Sequence, residues 1–289
     1  MINKIKSYAK INLALNIVGK NSSLHKIESI IAFIELHDII KIRLNNSKKH
    51  NVSFYGKFSK NISSNNTVSN LLKILDKRKL LNNKKFKISI KKQIPSRAGL
   101  GGGSMNSASI LRFLAKKKIV NITKKELLII AKLVGSDVVF GLNPTNSILT
   151  SKNKVKYFNK SEKFHTLVIK PNFGCSTENM YSRVRKYNKP KISHANKNMF
   201  KLVNLKKMSN SLEPIALTKY PRLKKLKVYL ENLSPEFVRL TGSGSALVAY
   251  FQSKVSCEIA RKKFIKKYKN YWCIACLLYT SDAADDLRG

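Results

Sequence analysis

The stretch Pro95-Ser96-Arg97-Ala98-Gly99-Leu100-Gly101-Gly102-Gly103-Ser104-Met105-Asn106-Ser107-Ala108 constrains this chain more than any other. Four glycines fall within the five residues from Gly99 to Gly103. Ahead of them Phe86 to Ile94 alternates apolar and polar side chains, the pattern of a half-buried strand. Behind them Ala108 to Ala115 has the spacing of a helix. Strand, glycine loop and helix in that order hold phosphate. Glycine lets backbone N–H groups turn toward an anion with no Cβ in the way. The helix start adds unpaired N–H donors and the positive end of its dipole. Ser104 offers a hydroxyl there, to cap the helix or to touch phosphate or its metal. The stretch is not a Walker A loop, because no Gly-Lys-Ser/Thr closes it, and not a dinucleotide fingerprint, whose last glycine position falls on Ser104. A turn that merely caps a helix rarely needs four glycines.

A chain of 289 residues suits one large domain or two moderate ones, and 43% hydrophobic residues suffice for a proper core. No apolar run approaches the roughly 18 residues of a membrane span. The short apolar patch Ile11–Val18 carries Asn12 and Asn16, follows Lys10 and leads to no small-residue cleavage site, so no signal peptide is expected. The net charge of +42 invites a nucleic-acid or anionic-membrane reading. The lysines, however, are spread over the whole chain among many Asn and Ile, the trio that AT-rich codons favour. No zinc-finger, RNA-recognition or helix-turn-helix signature accompanies them. A basic nucleic-acid-binding protein is therefore the weaker alternative, and only nonspecific attraction at low salt is expected. Cys175, Cys257, Cys273 and Cys276 make no disulfide framework in a chain this long and suit a reducing cytoplasm. Cys273-x-x-Cys276 lacks a second pair, and the five histidines show no metal-ligand spacing.

Three further places carry polar residues of interest. From Tyr8 the N-terminal stretch alternates as a strand, which puts Lys10 and Asn12 on one face. Asp137, in Gly135-Ser136-Asp137-Val138-Val139-Phe140, is an acid inside an apolar stretch, costly unless it caps a helix, is paired or is used. Val238–Tyr250 reads as strand, small-residue turn, strand. Around them, strands are expected at 38–44, 51–55, 147–150, 155–158, 164–170 and 271–275. Helices are expected from Asn66, a plausible cap, through Leu81, from the Thr123–Glu126 capping box to near Gly135, and over 177–186, 201–208, 223–233 and 255–267.

Pro-x-x-Ala-Gly-Leu-Gly-Gly-Gly-Ser resembles the phosphate loop of the GHMP kinases, the galactokinase, homoserine, mevalonate and phosphomevalonate kinase superfamily. The triple glycine is similar to that of the branch whose acceptor is a cytidine-diphosphate-linked methylerythritol. Met105 stands where that branch usually has a second serine. Ala9-Lys10-x-Asn12-Leu13 resembles the superfamily's first motif, and Thr241–Ser245 its third, a glycine turn that packs on the phosphate loop. Gly-Ser-Asp137 is similar to a Gly-Ala-Asp site. His25 matches a base-contacting histidine, with Leu24 in place of a stacking tyrosine. Asn210-Ser211-Leu212-Glu213 is similar to a helix start of the family.

The resemblance, over roughly residues 4–275, implies an α+β two-domain kinase. Its N-terminal domain (1–160) is ribosomal-protein-S5-like and binds ATP, its C-terminal domain (161–275) is a ferredoxin-like α/β sandwich, and the active site lies in the cleft between them. It implies that Pro95, Ala98, Gly99, Leu100, Gly101, Gly102, Gly103, Ser104 and Asn66 bind ATP with Mg²⁺, Ser104 being a candidate metal contact. Asp137 is then the catalytic base, Lys10 holds the hydroxyl being phosphorylated, and Asn12, His25 and Asp137 bind the substrate. Another small-molecule kinase, such as a homoserine kinase, is the enzyme alternative, and monomer and homodimer both remain open. The acidic end, 276–289, is unlike the lysine-rich remainder and is similar to a translated sequencing adaptor. It is left out of the expected fold.

Overall fold

Two long strands, β1 (Asn3–Lys20) and β2 (His25–Asn45), pair antiparallel from Asn3 opposite Ile42 to Lys20 opposite His25. The computed structural model describes residues 2–21, 24–159 and 162–279. β2 is far longer than the expected strand at 38–44. Ile30 to Ile34 are all buried, so the strand is covered on both faces and shows no alternation to read. After β3 (Asn51–Tyr55), α1 (Thr67–Lys77) crosses over to β4 (Lys85–Lys91), which lies parallel to β3 and antiparallel to β2. Then come α2 (Gly102–Lys116), α3 (Lys124–Val134) and α4 (Val138–Gly141). The apolar faces of α1, α2 and α3 close on Ile40, Ile42, Phe86, Ile88 and Ile90 of the sheet, which forms a first core. The hairpin β5 (Asn146–Leu149) and β6 (Val155–Phe158) adds to the other side of β2.

The second half contains β7 (His165–Lys170), α5 (Thr177–Tyr181), a 3₁₀ turn at Lys197–Phe200, α6 (Leu202–Lys206), α7 (Glu213–Lys219) and α8 (Pro221–Glu231). β8 (Phe237–Leu240), β9 (Leu247–Phe251), α9 (Lys254–Lys267) and β10 (Trp272–Tyr279) complete it. Its strands run β10-β7-β9-β8, all antiparallel. A second core crosses the middle of the chain: Ala9, Ile11 and Leu13 of β1 pack with Phe164, Val168, Val248 and Tyr250. The architecture is α+β. The expected domain boundary at 160 falls on residues outside those described. No helix among the described residues is long and apolar enough to cross a membrane.

The structure corrects the expected end of the fold. β10 continues past residue 275 to Tyr279, pairs with β7 through Leu277, and joins the two sheets through Leu278 opposite Ile34 and Tyr279 opposite Phe33. Cys276 and Leu278 are buried, and Leu278 N donates to Phe164 O at 3.0 Å. Two leucines ahead of an acidic end are too short a signal to mark a strand. The rest of the excluded tail, 280–289, lies outside the described residues. Burial pushes the Cys273 thiol up and the Cys276 thiol up to about 12. Several helices are also shorter than expected: α1 stops at Lys77, α5 at Tyr181 and α6 at Lys206.

Candidate active site

The glycine loop feeds directly into α2, which begins at Gly102 rather than near Ala108. Gly101 takes the N-cap position at φ 68°, a conformation glycine adopts freely. Ser104 therefore does not cap the helix. It lies in the first turn with Gly102 and Gly103, ahead of the first helical bond, Met105 N to Gly101 O at 2.9 Å. The N–H groups of that turn have no partner within the helix and face where an anion would sit. Met105, in place of the family's second serine, turns inward and packs with Ile31, Phe33, Phe140 and Leu149. Pro95, Ala98 and Leu100 are buried and anchor the loop.

Two other segments brace it. β1 runs beneath: Lys10 N donates to Leu100 O at 3.1 Å, and a Cβ on Gly101 would sit 2.8 Å from Lys10 Cγ. The turn between β8 and β9 packs against Gly99, as expected for a third motif. Thr241 Oγ1 accepts from Asn12 N (3.0 Å) and donates to Gly99 O (3.2 Å). Ala246 N donates to Ala98 O (3.2 Å) and Ser245 N to Arg97 O (3.3 Å). Gly99, at φ 74°, touches the Thr241 carbonyl so closely that no side chain fits.

Lys10, Asn12 and Asp137 meet beside this loop. Lys10 Nζ lies 3.1 Å from Asp137 Oδ2 and donates to Asn12 Oδ1 at 2.7 Å. Asn12 Nδ2 donates to Ser29 Oγ (2.8 Å), and that hydroxyl donates to Ala14 O (2.6 Å), which fixes which way the amide points. The Lys10 side chain is 5% exposed and that of Asp137 35%. Asp137 stands at the N-cap of α4 but makes no cap bond there. Its carboxylate is paired with an ammonium on one side and open on the other, beside a cradle of backbone N–H donors. That arrangement can take a proton from a hydroxyl and steady the charge that develops on it.

Asn66 caps α1: its Oδ1 accepts from Val68 N (3.0 Å) and Ser69 N (3.1 Å), and its Nδ2 donates to Ser63 O (2.9 Å). Both ends of the amide are thus engaged by the chain itself. The neighbouring Thr67 Oγ1 donates to Gly103 O at 2.8 Å, so the start of α1 abuts the glycine loop. His25 opens β2 near a pair of tyrosines that the sequence did not single out. Its ring centroid is 5.2 Å from that of Tyr181 and 6.3 Å from that of Tyr187. Burial, helped by Lys20, holds the His25 imidazole below its ordinary pKa, so the ring keeps one donor and one acceptor at neutral pH. Burial, with a smaller contribution from the Asp137 charge, pushes the Tyr181 phenol up. Leu24 is exposed and takes no part in this group. Among the described residues no cluster of three or more His, Cys, Asp or Glu side chains is built to cage a metal.

Comparison with known proteins gives a consistent result. Residues 66–144 match the family described as GHMP kinases N terminal domain. The chain is 53% identical over 272 residues to the 4-diphosphocytidyl-2-C-methyl-D-erythritol kinase of Pelagibacter ubique (strain HTCC1062), covering 94% of this chain and 97% of the relative. A crystal structure of 4-(cytidine 5'-diphospho)-2C-methyl-D-erythritol kinase superposes with a TM-score of 0.76 at 22% identity, over 96% of this chain and 100% of that one. A homoserine kinase from Cytophaga hutchinsonii superposes with a TM-score of 0.71 at 15% identity, over 96% and 95%. The fold is that of the GHMP kinases.

Proposed function

Because the chain belongs to the 4-diphosphocytidyl-2-C-methyl-D-erythritol kinase family, we propose that it transfers the γ-phosphoryl group of ATP to the 2-hydroxyl of 4-diphosphocytidyl-2-C-methyl-D-erythritol, a step of non-mevalonate isoprenoid precursor synthesis. The observation that carries this reading is the Lys10–Asp137 pair at 3.1 Å, set against the Gly101 turn of an anion cradle. Asp137 accepts the proton of the attacking hydroxyl on its open carboxylate edge. Lys10, held in place by Asn12, binds the same oxygen and stabilises its growing negative charge. Gly99 to Ser104 hold the triphosphate by backbone N–H groups, so the work of the site is positioning and electrostatics. Mg²⁺, if bound with ATP, would neutralise charge on the phosphate oxygens. The Ser104 hydroxyl, in the first turn of α2, would offer such an ion a hard oxygen donor beside the cradle.

His25, with Tyr181 and Tyr187 beside it, takes the cytidine end of the acceptor through ring edges and faces. In this reading residues 1–160 form the ATP-binding domain and 161–279 the second domain, and catalysis takes place where β1 meets the β8–β9 turn. The test is ADP release with each acceptor in turn. The cytidyl acceptor should stimulate it and homoserine and mevalonate should not. Stimulation by homoserine but not by the cytidyl acceptor would overturn the assignment.

A further inference from the structure

Glu28 is fully buried, and no cation pairs with it among the described residues. Its carboxylate is satisfied by chain that is remote in sequence: Oε1 accepts from Lys191 N (2.7 Å) and from Asn16 Nδ2 (2.7 Å), and Oε2 from Ile192 N (2.9 Å). Lys191 and Ile192 belong to residues 182–196, which have no regular structure and lie across β1 as a strap. A second set of bonds ties the same strap. Asn188 N donates to Ile17 O (2.9 Å), and Asn188 Nδ2 donates to Asn16 Oδ1 (2.7 Å) and Ser211 Oγ (2.9 Å). Asn16 Nδ2 also donates to Lys189 O at 3.1 Å. Tyr187 precedes these anchors directly and stands beside His25, while Glu28 lies three residues after His25 on β2.

We propose that Glu28 is a positioning residue for the acceptor site: it clips the 182–196 strap across β1 and so holds Tyr187, and the wall it forms, against His25. A buried carboxylate without a counter-ion is expensive and persists only where several donors converge on it. Two of the three donors here are consecutive backbone N–H groups of an otherwise irregular strap, so the carboxylate pins that segment of the strap. Through Tyr187 the strap reaches His25, at the cytidine end of the proposed site. Its loosening should therefore weaken acceptor binding alone. The inference rests on the proposed acceptor reading.

The test is Glu28→Gln, which keeps size and one oxygen and replaces the other acceptor by a donor facing a donor. The expected result has three parts. KM for the cytidyl acceptor rises roughly tenfold, the scale of one lost charge-assisted hydrogen bond. The kcat and KM for ATP stay within about twofold, as expected for loss of uniform binding. Amide exchange at Lys191 and Ile192 accelerates. Faster exchange with an unchanged acceptor KM would overturn the proposal, and so would a fall in kcat with both KM values unchanged, the mark of lost folded enzyme. His25→Ala is measured alongside. If Glu28→Gln raises the acceptor KM and His25→Ala does not, the strap role stands and the base-contact reading of His25 fails.

Discussion

Gly99→Ala probes the contact that holds the phosphate loop to the β8–β9 turn. A methyl group there falls deep inside the radius of the Thr241 carbonyl oxygen, 2.9 Å from the Thr241 carbonyl carbon and 3.1 Å from Gly244 N. All three neighbours are backbone atoms, so no flexible side chain can swing away. The residue also sits at φ 74°, where a Cβ costs about 1–2 kcal/mol. Overpacking against rigid neighbours adds about 1–3 kcal/mol. The sum is about 2–5 kcal/mol, and at about 2–4 °C per kcal/mol the melting temperature should fall by roughly 4–20 °C. Relief requires the loop and turn to part, which strains the bonds from Ala246 N to Ala98 O and from Thr241 Oγ1 to Gly99 O, so KM for ATP should rise as well. Gly19→Ala is the control, since its methyl would meet only the Lys26 side chain, at 3.7 Å from Cδ and 3.9 Å from Cβ. Differential scanning calorimetry and ATP kinetics on both variants decide the matter. A Gly99→Ala protein as stable as Gly19→Ala, with an unchanged KM for ATP, would refute the claim that this contact shapes the site.

Asp137→Asn should bind ATP normally and lose turnover by roughly 10²-fold or more. Lys10→Ala should act likewise, with the double variant losing less than the product of the two, because the side chains work as a pair; kcat and ATP titration check this. Deleting 277–289 should lower stability by about 2–5 kcal/mol in a denaturant titration, because it removes the buried Leu278 and the pairing of β10 with β2. Burial holds the His50 imidazole below its ordinary pKa against the opposing pull of Asp76, so the unfolded chain binds that proton more readily than the folded one. The linked stability is complete above about pH 6.5 and drains as pH falls through the lowered folded value. Melting temperatures between pH 8 and pH 5 should therefore fall more for the native chain than for His50→Gln, which cannot titrate.

What the sequence made legible was whatever depends on near neighbours. The glycine loop, the shared face of Lys10 and Asn12, and the capping box from Thr123 to Glu126 all state their structure within a few residues. Asp137 is ambiguous in the sequence, because an acid ahead of a short apolar helix is also how a cap looks; the structure shows no cap bond there and pairs it with Lys10, from far earlier in the chain. Of the two roles the sequence offers Ser104, helix cap or phosphate contact, the cap is excluded because Gly101 takes the N-cap and Gly102 and Gly103 enter the helix where Ile94 and Thr67 leave little room for side chains. Tyr181 and Tyr187 carry no local mark at all, and the turn at Thr241–Ser245 is marked only by its glycines. Their importance comes from being brought to His25, Asn12 and Gly99 by contacts between the two halves of the chain. The end of β10 escaped notice for the same reason: its partners are β2 and β7.

The most direct measurement follows the phosphorus. Purified protein, ATP, Mg²⁺ and 4-diphosphocytidyl-2-C-methyl-D-erythritol are incubated and observed by ³¹P NMR. The expected result is a new phosphomonoester resonance on the 2-hydroxyl, growing in step with ADP and absent with Asp137→Asn. ADP formed without a new phosphomonoester, or a phosphomonoester formed on homoserine and not on the cytidyl acceptor, would contradict the assigned reaction.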